Sequence, residues 1–333
     1  VNKSIVIPEV LSRPSVEQAD SYQVTVVGGA TEIGQTLGLL LRGQSKISNL
    51  VIHDTREYTP GVTMDLSHVP TDMTVTGYYG DKNLHKALQN SDIVIAIGGA
   101  LLTPGLPNKQ WVATNTQFIR TVAASVARLS TQPFFAIATE PINCLVPMAA
   151  EVMRNNGECD TKKLFGVTTI DAIRAQTLFA SENKLNPQIC AVPVIGGHSN
   201  STAVPLLSHS SPNLELTEKA IQEFTTKFSQ CNERVLLAKK GWAPTLSVAY
   251  SVLVFTKSLL EALAGKPAAV NAYVENNDFG TSYFSGLVTL DKDGIKDMQR
   301  YGSLTQYECC LLERCIAQLR KDISDGTRIL ETA

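Results

Sequence analysis

Apolar positions along the chain follow two rhythms, which alternate through its first half. Gln23–Val27 (QVTVV) is a short β-branched run. It is followed at once by the turn GGATEIG and then by an apolar helical pattern through Leu41. Leu50–His53 reads as a second strand, Asp92–Ile97 (DIVIAI) as a third and Phe134–Ala138 (FFAIA) as a fourth. Helical patterns such as Asn115–Leu129 separate them. Strand alternating with helix at this spacing predicts a parallel sheet, because each crossover helix must return the chain to the same sheet. The fold class is thus α/β: a Rossmann-type doubly wound parallel sheet over residues 21–164, then an α+β domain over residues 165–333.

The second half has a different pattern. Ile221, Phe224, Phe228, Cys231 and Val235 recur at spacings of three and four. One long amphipathic helix over Leu216–Lys240 is the prediction. A second helix spans Leu246–Ala264 and is closed by Gly265. Two strand-like runs lie between Ala268 and Leu290, with Asp293-Gly294 as turn material after the second. Thr305-x-x-Glu308 is a capping box that opens a last helix toward Asp325. Residues 1–20 are mixed in polarity, lack a signal-peptide core and read as an N-terminal arm. The chain starts at Val1, as a processed or trimmed protein would.

Composition narrows the function classes. A length of 333 residues suits two domains. A net charge of −2 with no strong basic run argues against nucleic acid or an anionic membrane as the main partner. The most apolar helix candidate, Leu246–Leu263, is interrupted by Lys257 and Glu261, so it reads as a core helix and no membrane span is expected. Seven cysteines without a C-x-x-C pair point to a reducing compartment, with neither a disulfide framework nor a metal site. Cys309-Cys310 read as reduced packing residues, and Lys162-Lys163 and Lys239-Lys240 as solvated faces.

Candidate chemistry lies in both halves. GGATEIG follows a strand and opens a helix, the context of a dinucleotide-binding loop. Gly28 and Gly34 bracket it, and Asp54 ends the next strand, 20 residues after Gly34. A carboxylate there can bind the ribose hydroxyls of NAD and repel the extra phosphate of NADP. Gly98, with Gly99, and Asn115 are candidates for the other wall of the crevice. Thr31 stands between the glycines, where a side chain would crowd the pyrophosphate, and Glu32 adds a negative charge beside an anion site. NAD binding is therefore expected to be weakened. Downstream, FGVTTIDAIR and VPVIGGHSN supply Asp171, Arg174 and His198. A histidine held by a carboxylate is a general acid/base, and an arginine one helical turn away can clamp a substrate carboxylate. The alternative for His198 is a satisfied structural histidine paired with Asp171. His53 reads as packing at a strand end, and His68, His85 and His209 have no ligand spacing.

These segments, with TPGVTMDLSH, KKLFGVTTIDAIRA and PTLSVAYS, resemble the malate dehydrogenases of the malate/lactate dehydrogenase family. The mitochondrial, plastid and glyoxysomal subgroup fits best, over about Tyr22 to Leu330. The resemblance implies NAD-linked oxidation of malate to oxaloacetate and a homodimer, sometimes a tetramer. It makes His198 the proton acceptor, Asp171 its orienting carboxylate, Arg174 the clamp on the carboxylate beside the reacting carbon, and Asp54 the ribose ligand. An organelle, mitochondrion or plastid, is the implied location. The C-terminal Glu331-Thr332-Ala333 is no peroxisomal tripeptide.

The resemblance breaks at the substrate side. Ala100–Asn108 (ALLTPGLPN) aligns with a mobile loop that in the family carries two arginines; here those positions are Leu102 and Asn108. The family's N-P-V-N turn is Glu140-Pro141-Ile142-Asn143, with Glu140 in place of the leading asparagine. Leu102 cannot pair with a distal carboxylate. Asn108 brings no charge to a developing alkoxide. Glu140 puts an anion where an anionic substrate should sit. Two readings follow. One is a divergent relative with impaired malate oxidation, persisting as a homodimer or as a subunit of a larger complex. The other is an active 2-hydroxy-acid dehydrogenase for a monocarboxylate with an apolar or uncharged side chain. Asn108 in place of the arginine and Glu140 in place of the asparagine favour the first, since a switch of specificity requires only Leu102 to change.

Overall fold

The computed structural model describes residues 21–157 and 159–331, so the expected arm at residues 1–20 lies outside the described residues. Elements of the first half are β1 (Tyr22–Val27), α1 (Glu32–Leu41), β2 (Ile47–Asp54), α2 (Thr59–Ser67), β3 (Thr74–Tyr79), α3 (Leu84–Leu88), β4 (Ile93–Ala96), α4 (Asn108–Val126), β5 (Phe134–Ile137), α5 (Ile142–Asn156) and β6 (Leu164–Val167). The second half adds α6 (Thr169–Asn183), β7 (Val194–Gly196), β8 (Ala203–Pro205), α7 (Glu218–Ser229), α8 (Cys231–Ala238), α9 (Leu246–Leu263), β9 (Ala268–Glu275), β10 (Tyr283–Asp291), β11 (Gly294–Met298) and α10 (Gln306–Glu331).

Strands β3-β2-β1-β4-β5-β6 lie side by side and pair in parallel. This is the doubly wound order, with the turn after β1 next to the turn after β4 at the topological switch point. Strands β4 and β5 are buried at every position, as strands covered by helices on both faces must be. The sheet does not stop at the boundary between halves. β6 also pairs antiparallel with β9, and the order continues β10-β7-β8, with β11 on β10. A division at residue 164/165 therefore falls inside β6.

The sequence pattern missed β3. Its residues alternate between exposed and half-buried at the sheet edge, and Gly77 interrupts the run, so no apolar face stands out. The single helix expected over Leu216–Lys240 is two helices that meet at Gln230. Phe224 and Phe228 on α7 pack onto Phe179 of α6, whereas α8 buries no residue fully. Burial holds α7 in line, and α8 turns toward the loop after β4. The capping box is present: Glu308 N donates to Thr305 Oγ1 at 3.2 Å, and Thr305 N to Glu308 Oε2 at 2.9 Å. Helix α9 is apolar and long enough to cross a bilayer. It nonetheless packs against α1, α6 and β9, with Val252, Phe255, Leu259 and Leu260 buried.

Candidate active site

Asp171 stands in the first turn of α6, directly beyond β6, where a carboxylate is favoured by the helix dipole. His198 follows β7 across Gly196-Gly197. Its backbone N–H donates to Asn143 Oδ1 at 2.8 Å. The Asn143 amide in turn donates to Thr202 Oγ1 (3.1 Å) and to Asp322 Oδ2 (2.9 Å) on α10. A Cβ at residue 197 would collide with Asn143 and Leu319, so only glycine brings His198 this close to α5. The long-range pair is thereby closed: His198 Nδ1 lies 2.5 Å from Asp171 Oδ2, both side chains buried.

The other ring nitrogen faces Glu140. His198 Nε2 and Glu140 Oε1 are 3.4 Å apart, and the Glu140 side chain is 43% exposed. Glu140 begins the turn between β5 and α5, with a cis peptide to Pro141. Burial is the largest influence on His198 and lowers its pKa. Charge and hydrogen bonding from Asp171, then from Glu140, outweigh burial and raise it to about 10. Burial raises the Glu140 pKa, but the His198 hydrogen bond and charge and the Arg174 charge bring it below its ordinary value. His198 thus stands between two carboxylates, both of which favour its protonated form.

Arg174 lies one turn beyond Asp171. Its Nη2 donates to Asn232 Oδ1 at 3.0 Å, and its Nη1 is 3.9 Å from Asp171 Oδ1. A cavity of about 380 Å³ opens over this group, lined by Trp111, Glu140, Arg174, His198, Asn200 and Asn232 among others. It offers a guanidinium for a carboxylate, a proton donor, and one carboxylate in the way. Proton transfer to an oxo acid is within its means; reception of a dianion is opposed by Glu140.

The loop after β4 is placed differently from what a charged clamp requires. The Leu102 carbonyl accepts a backbone hydrogen bond from Ala243 N (3.1 Å), and Leu102 lines a smaller cavity of mixed character with Trp111, Leu236, Val248, Glu140 and Asn232. Asn108 is exposed at the start of α4 and lines neither cavity. Asn115 is buried. Its Oδ1 accepts from Ala100 N (2.6 Å), and its Nδ2 donates to Ala100 O (3.2 Å) and Glu140 O (2.8 Å). That side chain, a candidate for the crevice wall, ties the loop after β4 to the Glu140 turn.

A second cavity, of about 640 Å³, lies at the ends of β1 and β2 and is lined by Gly28, Asp54, Gly99 and Phe118 among others. Gly28 has φ +89°, and a Cβ there would collide with the Gly98 backbone. Gly34 meets the Gly28 carbonyl as closely, so these glycines let two turns and a helix pack backbone to backbone. Thr31, expected to crowd the pyrophosphate, has its hydroxyl engaged within its own turn. Its φ of −69° suits any residue, and its hydroxyl is folded into the turn, donating to Gly28 O (2.7 Å) and accepting from Gly34 N (2.9 Å). The N-terminus of α1 opens at this turn, a position that favours an anion, with Glu32 exposed beside it. A carboxylate on β2 and a helix N-terminus across one cavity fit a dinucleotide.

Four residues here were not read from the sequence as site residues. Trp111 and Asn232 lie in helical patterns that carry no local signal of a pocket. Asn143 stood in the Glu140-Pro141-Ile142-Asn143 turn without a role. Arg56 stands two residues beyond Asp54, a charge pair visible in the sequence.

Comparison with known proteins agrees with this geometry. The lactate/malate dehydrogenase NAD binding domain matches residues 22–166, and the family's alpha/beta C-terminal domain matches residues 168–330. A malate dehydrogenase of Vibrio campbellii is 37% identical over 307 residues, 91% of this chain and 98% of its own length. The mitochondrial malate dehydrogenase of Caenorhabditis elegans is 33% identical, over 93% of this chain and 91% of its own. In fold, the chain resembles the malate dehydrogenase of Cryptosporidium parvum, with a TM-score of 0.78, 20% identity, and 94% and 100% of the two chains covered. The lactate dehydrogenase of Eimeria maxima with NADH and oxamate is alike at a TM-score of 0.78 and 20% identity, with 92% and 95% covered. The chain belongs to the lactate/malate dehydrogenase family of NAD-dependent oxidoreductases.

Proposed function

We propose that this chain is a malate-dehydrogenase relative in which malate oxidation is impaired, and that Glu140 is the main cause. The observation that carries this reading is the Glu140 carboxylate at His198 Nε2, 3.4 Å away. NAD, when bound, supplies the hydride acceptor. The chain's own part is to take the hydroxyl proton on Nε2, and only the neutral imidazole can do so. With a pKa of about 10, His198 is protonated at neutral pH and Nε2 already faces an acceptor. Asp171 orients the ring, and Arg174, held by Asn232, is the carboxylate clamp. Asp54 and the α1 N-terminus between Gly28 and Gly34 hold the cofactor, while Gly98 and Asn115 shape the facing wall.

A second reading is supported by the wall around Leu102. Leu102 stands where the family carries an arginine and lies with Leu236 and Val248 in one cavity wall, and an imidazolium is the form that donates a proton to a carbonyl. Reduction of a 2-oxo monocarboxylate with an apolar tail would use both features. Steady-state assay of malate oxidation by purified protein tests the main reading: kcat/KM above about 10⁴ M⁻¹s⁻¹ would overturn it. Measurable reduction of such an oxo acid without malate oxidation would favour the second.

A second copy of the chain is the proposed partner. Leu39, Tyr58, Met64, Leu246 and Tyr250 are large, exposed and apolar, and they stand on or at the start of α1, α2 and α9, where α1 contacts both other helices. Such a grouping fits an isologous interface. Sedimentation of wild type as a monomer would refute it. Mitochondrial relatives in Caenorhabditis elegans and Arabidopsis thaliana support an organelle location, which cell fractionation tests.

A further inference from the structure

We infer that the mouth of the dinucleotide cavity accepts a 2′-phosphorylated ribose, so that the chain binds NADP(H) as well as NAD(H), and that Arg56 is the residue that permits it. The inference rests on the reading that the first domain holds a dinucleotide and specifies which ones. A bare carboxylate at the end of β2 selects NAD by accepting the ribose hydroxyls and repelling a 2′-phosphate. Asp54 is not bare. Arg56 Nη1 donates to its Oδ1 at 2.8 Å and to its Oδ2 at 3.0 Å. Backbone amides add to both oxygens, Arg56 N to Oδ1 (3.2 Å) and Ala30 N to Oδ2 (3.0 Å). Four donor contacts fill the acceptor sites of one carboxylate. Ribose hydroxyls must displace one of them, and the repulsion that should exclude a phosphate is neutralised.

The position of Arg56 is built rather than incidental. Its carbonyl accepts from Thr59 N (3.0 Å) and Thr59 Oγ1 (2.5 Å), and its amide is fixed on Asp54. The neighbouring Tyr58 hydroxyl donates to Ala30 O (3.2 Å), which pins this turn over the phosphate loop. Arg56 also lines the 640 Å³ cavity, and its side chain is 36% exposed. Nη1 alone makes the contacts to Asp54, so the outer edge of the guanidinium, Nη2 with Nε, is available to a second acceptor. A planar fork that shields a carboxylate on one edge and binds phosphate on the other needs no movement of the chain. Asp81 also lines the cavity, so the site is poised to tolerate the phosphate and has no excess of positive charge to demand it.

The test is fluorescence titration of the full-length protein with NADH and with NADPH, on wild type, Arg56→Ala and Asp54→Asn. Adenosine 2′,5′-bisphosphate and ADP serve as competitors that report on the adenosine end alone. In wild type the two dissociation constants should lie within about tenfold, where an unshielded carboxylate would separate them by about a hundredfold or more. Arg56→Ala should move them in opposite directions: NADPH weaker by at least about tenfold, NADH unchanged or tighter as Asp54 is freed for the ribose. Asp54→Asn should do the reverse. Circular dichroism of both variants controls for folding. Binding of NADH alone by wild type, or equal weakening of both dinucleotides by Arg56→Ala, would overturn the inference and leave the dinucleotide reading standing. Failure of both dinucleotides to bind would overturn the two together.

Discussion

Replacing Glu140 with Asn isolates the one group that meets His198 at its reactive nitrogen. At 3.4 Å and an effective dielectric constant of about 20, a unit charge pair is worth about 5 kcal/mol. The Glu140 side chain is 43% exposed, so solvent screening reduces this to about 2 kcal/mol. Removing this carboxylate should therefore lower the His198 pKa toward its ordinary value. Asp171, buried at 2.5 Å from the other nitrogen, keeps the value above that of free histidine. About 2 kcal/mol at this nitrogen corresponds to about thirtyfold more of the neutral imidazole near neutral pH, the form that can accept a proton. The expected result is a rise of that order in kcat/KM for malate oxidation near neutral pH, matched in oxaloacetate reduction, because one equilibrium constant links the two directions. NADH formation across pH 7–10 reads the kinetic effect. The His198 Cε1 proton resonance, one of five histidines, reads the titration even where turnover is slow. An unmoved His198 midpoint in Glu140→Asn, or an oxidation profile that keeps the wild-type pH dependence, would refute the reasoning.

Adding arginines at Leu102 and Asn108 to the Glu140→Asn background should raise malate kcat/KM by a further factor of about 10² or more, and no gain would mean that the loop cannot reach the cavity. Thr31→Gly should lower stability by only a few tenths of a kcal/mol, measured in urea, and leave NADH affinity within about twofold, because the hydroxyl faces its own turn; a large gain in affinity would restore the crowding view. His198 has a folded pKa of about 10, above its ordinary 6.5, so its stabilisation is complete below pH 6.5 and is lost as pH rises through about 10. Urea midpoints should fall across that window in wild type and much less in His198→Asn.

How much of this was legible in the sequence depends on whether a signal is local. The turn after β1 and the capping box at Thr305 were readable because the partners are three to seven residues apart. Asp171, Arg174 and His198 were readable through motifs, although 27 positions separate the dyad. What the chain does not spell out is which side chain fills space left by another. Thr31 looked obstructive as a residue type, but its conformation turns the hydroxyl inward and makes it a cap. Asn115 looked like a cofactor contact, but two distant carbonyls claim it. Glu140 was suspect for its charge alone, and only folding places that charge at Nε2, where it competes with substrate for the same proton. Position thus changes the meaning of the substitutions. Leu102 and Asn108 each remove a favourable interaction, and such losses weaken a site without altering its direction. Glu140 adds an interaction that stabilises one protonation state of the catalytic base. A stabilised imidazolium is scarce as a base and weak as an acid, so a carboxylate at Nε2 opposes proton transfer in both directions.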